Sequence, residues 1–282
     1  MYCNKCLHCV LFIFYVNVSF SQGNCLFYPE DSGERLACEL SYRAISYKQG
    51  SRTSQVLFDA AIKLGPEYAY AYYEKSVPFF KRGLFNEGIQ LLNKAVALEP
   101  ENYLCYRAYW FFSQRSYEQC ANDLELYYNT LGMPTGSTPG GDMEMRMLLG
   151  MSYARLHMLS EAIELVSSAI NNFEEMNYFI GPYDYHVMGL LYFDNNEFNK
   201  AKKAFYSQIE MNPNFADSYY YMALIAKSET NFQLASDFLR TSLDKFEGAN
   251  GGFSFNGFID WNVYRELVEK EFMTFDVGFD LY

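Results

Sequence analysis

Few residues in this chain could perform acid-base or nucleophilic chemistry. After residue 21 the sequence contains two histidines, His157 and His186. We expect His157 in a turn and His186 in a helix, where the nearest acidic residue on the same face, Asp194, is about two turns away. A general base needs a partner within hydrogen-bond reach. The spacing therefore favours a solvated role for His157, and for His186 it favours packing or exposure over contact with a ligand.

The other reactive residues also lack the patterns that catalysis or metal binding requires. Ser152, in Gly-Met-Ser-Tyr-Ala, lies in a predicted helix and lacks the second glycine of a nucleophile elbow. The segment 194–199, Asp-Asn-Asn-Glu-Phe-Asn, lacks the central glycine and terminal glutamate of a calcium loop. The sequence also contains no Walker loop and no HExxH motif. We therefore predict a protein that is not an enzyme, with no cofactor and no metal site.

Residues 1–21 have the composition of an export signal. A short basic start precedes the apolar run Cys9–Val16, and Ser19 and Ser21 supply the small residues before a candidate cleavage site at Gln22. The run is shorter than the ~20 residues of a membrane-spanning helix. A buried N-terminal strand or helix is the alternative. We predict an exported protein, periplasmic or secreted, with no stable membrane span.

Cysteine spacing after residue 21 favours disulfide chemistry over zinc binding. Cys25 and Cys38 are 13 residues apart, Cys105 and Cys120 are 15 apart, and no CxxC motif occurs in this part of the sequence. In an exported chain Cys25 and Cys38 are candidates for a bridge, with two free thiols as the alternative. We expect Cys105 and Cys120 to be packing residues.

Composition excludes two further classes of protein. The 282 residues are 50% hydrophobic and 19% aromatic, which is typical of a folded chain and not of a disordered one. The 34 acidic residues outnumber the 22 basic ones, for a net charge of -12. Because nucleic-acid affinity depends largely on clustered lysine and arginine, we predict no nucleic-acid partner.

A repeated pattern of small and large residues organises the chain between residues 35 and 247. Small residues recur at one position in each predicted first helix and at the start of each second helix, at intervals of 32 to 42 residues and of 34 residues between the last two units. The first-helix positions are Ser76, Ala108, Gly150, Gly189 and Ala223; the second-helix positions are Gly88, Cys120, Ala162, Ala201 and Ala235. Small residues let two helices approach closely. A proline such as Pro66, Pro100 or Pro213 ends the second helix, because proline cannot continue it.

These residues resemble the tetratricopeptide repeat family over six units, from Arg35 to about Glu247. The resemblance implies an all-α fold: a right-handed superhelical solenoid of antiparallel helix pairs, about six repeats with a C-terminal capping helix. The order of the copies, the 131–142 break and the C-terminal ending resemble those of exported bacterial tetratricopeptide proteins of undefined function.

The predicted organisation follows from this pattern and its breaks. After the signal come an N-terminal segment at 22–34, repeats one to three at 35–130 and repeats four to six at 143–247. A loop rich in glycine and proline, 131–142, separates the two groups of repeats. A wider spacing after Gly150 predicts that the second helix of the fourth repeat, or its connection, is longer by about a turn. Residues 248–282 form a C-terminal segment with a capping helix.

The predicted binding surface is the concave groove formed by the first helices. Helical spacing from the small residue directs a strongly aromatic set of side chains toward it. The set is Tyr73, Val77, Phe80, Lys81, Tyr106, Tyr109, Phe112, Met147, Met151, Arg155, His186, Leu190, Phe193, Tyr220, Tyr221 and Lys227. Such a groove suits a peptide or protein segment, so we predict a non-catalytic protein-protein interaction scaffold.

Four alternatives to partner binding remain at this point. The groove side chains could pack against one another as core, or the chain's own tail, with Phe253, Phe255, Phe258 and Trp261, could fill the groove. The same aromatic surface also suits a sugar or another small molecule, because rings stack on apolar ligand faces. An enzyme with an unrecognised site is the remaining alternative.

Overall fold

The computed structural model describes residues 24–247 and 261–279, and these residues fold into thirteen α-helices joined by short connections. The predicted signal with its cleavage site before Gln22 lies outside the described residues, as do Phe253, Phe255 and Phe258. Within the described part, no helix combines the length and the apolar character needed to cross a bilayer. The all-α fold predicted from the sequence is confirmed.

The chain divides into two compact units, with the boundary between Ala71 and Tyr72. The first unit contains the pair α1 (Gly33–Ile45) and α2 (Arg52–Leu64). Each helix begins at a serine, Ser32 or Ser51, whose hydroxyl accepts a hydrogen bond from a backbone amide three residues later. Phe58 of α2 lies in the core of this unit with alanines of both helices.

The second unit begins within α3 and stacks five helix pairs followed by a final helix. The pairs are α3 (Ala69–Lys81) with α4 (Phe85–Leu98), α5 (Pro100–Ser113) with α6 (Tyr117–Glu125), α7 (Met145–Arg155) with α8 (Leu159–Glu175), α9 (Asp184–Asp194) with α10 (Phe198–Met211), and α11 (Ala216–Ser228) with α12 (Phe232–Glu247). The final helix, α13 (Arg265–Phe279), contacts α12. The paired helices are those of a tetratricopeptide-like stack.

The same turn ends the first helix of all five pairs in this unit. One residue takes a left-handed backbone conformation, and the next amide donates a hydrogen bond to the carbonyl five residues earlier, as in a Schellman cap. The left-handed residues are Gly83, Arg115, His157, Asn196 and Thr230. The capping bonds are 2.8 to 2.9 Å long, for example from the Leu84 amide to the Phe79 carbonyl. His157 thus lies in a turn, as the sequence predicts.

The small residues of the repeat are required by close packing within each pair. A Cβ atom on Gly150 of α7 would lie 2.3 Å from Cγ2 of Val166 on α8. A Cβ atom on Gly189 of α9 would lie 2.5 Å from Cε1 of Phe205 on α10. Both distances are far below van der Waals contact, so a larger residue at either glycine would push the two helices apart.

Two irregularities separate α6 from α9. After α6 the chain makes a wider helical turn at Leu126–Thr130, and the following connection is held by a β-bridge between Ser137 and Glu144. Glu144 also caps α7 by accepting a bond from the Arg146 amide. The helix α8 has 17 residues, three more than α10, in the repeat where the sequence spacing predicts an extra turn.

Candidate binding face of the first helices

Five aromatic side chains form a cluster on α3 and α5, the first helices of two consecutive pairs. We call this cluster the aromatic face: Tyr73, Phe80, Tyr106, Tyr109 and Trp110. Phe80 stacks on Trp110 with ring centroids 4.6 Å apart, and Tyr73 meets Tyr106 edge to face at 4.9 Å. Tyr109 contacts the Trp110 ring edge to face at 5.4 Å. Phe80 is buried, whereas the other four side chains are partly exposed.

The tyrosine hydroxyls of the aromatic face are held in their neutral form. The pKa of Tyr109 is raised to about 12, mainly by burial and also by the nearby Asp142. Burial also raises the pKa of Tyr73 and of Tyr106. Neutral hydroxyls both donate and accept hydrogen bonds, so the aromatic face offers apolar ring area together with polar tips.

Most of the predicted groove residues, Phe80 of the aromatic face included, are buried and do not line an accessible groove as predicted. Their exposed fractions are 8% or less because consecutive first helices pack against each other and enclose these side chains. They are Val77, Phe80, Phe112, Met147, Met151, His186, Leu190, Tyr220 and Tyr221. Of the remaining predicted residues, Tyr73, Tyr106, Tyr109, Arg155 and Phe193 are partly buried, and Lys81 and Lys227 are exposed.

His186 is a packing residue of α9. Its Nδ1 lies 3.0 Å from the hydroxyl of Ser218, and its ring packs against Phe215 and Phe205 at 4.8 and 5.5 Å between centroids. Burial lowers the pKa of His186 to about 3. The imidazole is therefore neutral at physiological pH and enclosed in the core, which does not match its predicted place on a binding groove.

A tryptophan from the C-terminal segment occupies the surface formed by α7, α9 and α11. The guanidinium of Arg155 lies 3.9 Å from the centre of the Trp261 ring, in a cation-π contact. The indole nitrogen of Trp261 donates to Asp194 at 3.0 Å, and the hydroxyl of Tyr221 donates to the Trp261 carbonyl at 3.3 Å. The three contacting residues belong to the first helices of three consecutive pairs.

The residues after Trp261 continue this contact. Val263 and Val268 are buried in the same hydrophobic core as α7 to α11, and Phe272 packs against it. Glu271 of α13 forms an ion pair with Lys227 of α11. In this half of the second unit, the chain's own C-terminal segment therefore covers first-helix surface, which was one of the alternatives left open by the sequence.

The cysteines after residue 21 divide into one bridge and two free thiols. Cys25 and Cys38 form a disulfide that joins the short turn Cys25–Phe27 to α1. Burial raises the pKa of Cys105 to about 11 and that of Cys120 to about 12. Because the thiolate is the reactive form, neither free cysteine is prepared for nucleophilic chemistry. Across the described residues, no group of three or more His, Cys, Asp or Glu side chains is placed to hold a metal ion.

Comparison with known proteins identifies one repeat and structures of similar fold. A family model described as "Tetratricopeptide repeat" matches residues 185–215, which comprise α9, α10 and the connection to α11. The match identifies these residues as one tetratricopeptide repeat. None of the curated protein sequences gives a significant match to this chain.

Three solved structures share the fold at low sequence identity. PilF of Pseudomonas aeruginosa is 15% identical, with 78% of this chain and 96% of PilF covered and a TM-score of 0.58. YrrB, described as having an unusual peptide-binding site, is 17% identical, with 68% of this chain and 94% of YrrB covered and a TM-score of 0.52. Yeast Tom70 is 12% identical, with 88% of this chain and 48% of Tom70 covered and a TM-score of 0.55.

Two residues of these surfaces were not predicted as binding residues. Trp110 joins the aromatic face because it stacks on Phe80 of the preceding first helix. Helical spacing from Ala108 did not select it, since that rule describes one helix and not its neighbour. Asp194 was considered as a partner for His186 and as the start of a segment compared with a calcium loop, yet its carboxylate accepts a hydrogen bond from Trp261. A tryptophan directly after a predicted groove tyrosine is the signal in the sequence that would have identified Trp110.

Proposed function

We propose that this protein is a non-catalytic protein-protein interaction scaffold, which binds a segment of a partner protein on the aromatic face. One observation carries the proposal: Tyr73, Tyr106, Tyr109 and Trp110 remain partly exposed, whereas Trp261 of the same chain occupies first-helix surface on α7, α9 and α11. Clustered tyrosine and tryptophan side chains are typical of interface hot spots. They offer a large contact area with little loss of side-chain entropy on binding.

The contacts of Trp261 support a protein partner over a sugar. They show that first helices of this fold can hold an aromatic side chain of a polypeptide by a cation-π contact, a hydrogen bond to its ring nitrogen and another to its backbone. YrrB is described as having a peptide-binding site, and its likeness in fold adds support of the same kind. The sugar-binding alternative is kept as an outcome of the test.

The test starts from random peptides of tryptophan-free composition, selected on the immobilised chain. Dissociation constants of the selected peptides are then compared between the unaltered protein and Tyr109→Ala. The matched control is Tyr206→Ala, because Tyr206 is 52% exposed on α10. We expect Tyr109→Ala to weaken binding by about 2 to 4 kcal/mol, the range of central aromatic hot spots, and Tyr206→Ala to leave it unchanged.

Two results would contradict the proposal. Equal binding by Tyr109→Ala and Tyr206→Ala would place the peptide site elsewhere. The second result is that no peptide is selected, while a glycan on an array binds the unaltered protein and does not bind Tyr109→Ala. That result would favour the sugar-binding alternative for the aromatic face.

We also propose that the protein is exported to the periplasm or secreted after cleavage before Gln22. The disulfide between Cys25 and Cys38 supports export, because such bonds persist in oxidising compartments and are rare in the cytosol. The bridge lies only a few residues beyond the proposed cleavage site, so it would tie the new N-terminus to α1.

A further inference from the structure

A cavity of about 860 Å³ lies beside the fourth helix pair. It is bounded by the 131–144 connection, by α8 and by the residues that lead into α9. Leu165, Ala169 and Phe173 of α8 form an apolar wall. Tyr178 and Phe179, which are 57% and 77% exposed, lie at its rim. The volume is within the range of small-molecule sites, roughly 300 to 1,000 Å³.

One carboxylate in this cavity already has its full set of partners. Glu144 accepts hydrogen bonds from the Tyr128 hydroxyl at 2.6 Å and from the Gly136 amide at 3.3 Å. It also forms an ion pair with Arg146 at 2.8 Å. The Arg146 guanidinium donates to the Pro134 carbonyl and lies over the Tyr128 ring. This charge pair is therefore satisfied within the protein.

A second carboxylate, Asp184, is not satisfied in this way. The residue is 0% exposed to solvent and lines the cavity. Its Oδ2 accepts a hydrogen bond from the Gly181 amide at 2.9 Å. Its Oδ1 is buried and has no hydrogen-bond partner among the described residues. An unpartnered buried acceptor is destabilising, and more so when it is charged.

A second acceptor oxygen, the backbone carbonyl of Asp142, lies near Asp184 Oδ1. The position that a Cβ atom on Gly181 would occupy lies 2.7 Å from Asp184 Oδ1 and 3.0 Å from the Asp142 carbonyl oxygen. Both atoms are hydrogen-bond acceptors, so the group that complements them is a donor. The pKa of Asp184 is raised to about 7, mainly by burial and also by the charges of Glu144 and Asp142. A positively charged donor would offset all three effects.

We propose that this cavity binds a small organic cation, with a primary ammonium group hydrogen-bonded to Asp184 Oδ1 and its alkyl chain against Leu165 and Phe173. The aromatic rim at Tyr178 and Phe179 adds cation-π attraction at the entrance. The cation has two possible sources, a free alkylamine or a lysine side chain of a polypeptide. The cavity has no lining residue in common with the aromatic face, and the inference does not depend on the proposed function.

An inorganic cation fits the cavity less well. A divalent metal needs several oxygen ligands, whereas Glu144 is committed to Arg146 and the α8 wall is apolar. The described residues also provide no group of three or more potential metal-ligating side chains. An ammonium group needs one charged acceptor and an apolar surface for its chain, and the cavity supplies both.

The experiment is calorimetric titration of the full chain at about pH 8, where Asp184 is ionised. The probe is n-pentylamine, and pentan-1-ol serves as its uncharged counterpart. We expect the amine to bind with a dissociation constant on the order of 1 mM, and the alcohol to bind at least tenfold more weakly. Asp184→Asn should weaken amine binding at least tenfold. The control Asp237→Asn, at an exposed position on α12, should leave it unchanged.

A second variant keeps the Asp184 carboxylate and fills the cavity. Ser168 is an exposed residue of α8 that lines the cavity, so Ser168→Trp should block the amine without altering a buried contact. N-acetyl-lysine methylamide, compared with n-pentylamine, distinguishes the two sources: the stronger binder identifies which one the cavity favours. No heat with either amine, equal binding by Asp184→Asn and the unaltered chain, or binding of calcium ions in place of amines would each overturn the proposal.

Discussion

Tyr109 and Phe112 lie one turn apart on α5 but have different environments. Phe112 is 2% exposed and belongs to the core of the second unit, whereas Tyr109 is partly exposed on the aromatic face. Phe112→Ala should lower the free energy of unfolding by about 3 to 5 kcal/mol, because truncating a buried aromatic side chain leaves a cavity. Tyr109→Ala should lower it by about 1 kcal/mol or less. Urea unfolding followed by circular dichroism measures both changes, and equal values would contradict these two placements.

Asp184 makes stability depend on pH in a direction opposite to that of most carboxylates. Its pKa is raised from 3.8 to about 7, mainly by burial, so the folded chain holds a proton that the unfolded chain releases. The stabilisation by this proton is fully present below about pH 4 and is lost as the pH rises through about 7. At about pH 8 we expect Asp184→Asn to be more stable than the unaltered protein by a few kcal/mol.

The check on Asp184 is a pair of unfolding curves at about pH 4 and about pH 8. The advantage of Asp184→Asn should shrink toward zero at the lower pH, where Asp184 is protonated in the folded chain and about half protonated in the unfolded chain. An advantage that is equal at both pH values would show that the Asp184 pKa is not raised.

At the scale of elements, α13 and the residues before it are attached through Trp261. Trp261 is 8% exposed and contacts Arg155, Asp194 and Tyr221. We expect Trp261→Ala to lower the free energy of unfolding by about 3 kcal/mol and to increase binding of a dye that reports apolar surface. The control is Tyr264→Ala in the same segment, where the side chain is 62% exposed. Identical effects of the two substitutions would contradict this role of Trp261.

The helix pairs were predictable from the sequence because the reason for them is local. Gly150 and Gly189 must be small to let each first helix touch its own second helix, and a small residue recurs at the same position of each repeat. The caps that end the first helices are also local, since each joins residues five apart. Patterns of this kind are visible in one sequence without knowledge of neighbouring repeats.

The accessibility of the groove was not predictable in the same way. Helical spacing gives the direction of Met151 or His186 around its own helix but not the distance to the next pair. The neighbouring first helices enclose both side chains, and both have 0% exposure. The cover provided by Trp261 depends on a contact with Asp194 that spans 67 residues. Contacts that distant in sequence leave no periodic signal.

At the scale of the whole molecule, export makes a prediction about the covalent structure. The protein recovered outside the cytosol should begin at Gln22, because Ser19 and Ser21 supply the small residues before the cleavage site. It should also carry the bridge between Cys25 and Cys38, so thiol reagents should label these cysteines only after reduction. Mass spectrometry measures both features. An intact Met1 on exported protein, or labelling of Cys25 and Cys38 without reductant, would contradict the proposal.

The most direct test of the central claim uses the two tryptophans of the chain as separate reporters. Trp110 lies on the aromatic face and Trp261 on the surface that the chain covers itself. In Trp261→Phe, the emission of Trp110 is recorded during titration with a tryptophan-free peptide selected on the unaltered chain. We predict that Trp110 emission in this variant changes saturably, with the same dissociation constant as peptide binding. In the reciprocal variant, Trp110→Phe, we predict that Trp261 emission does not change when the peptide is bound to the same saturation. Peptide binding that leaves Trp110 emission unchanged would contradict the claim that the aromatic face is the binding site.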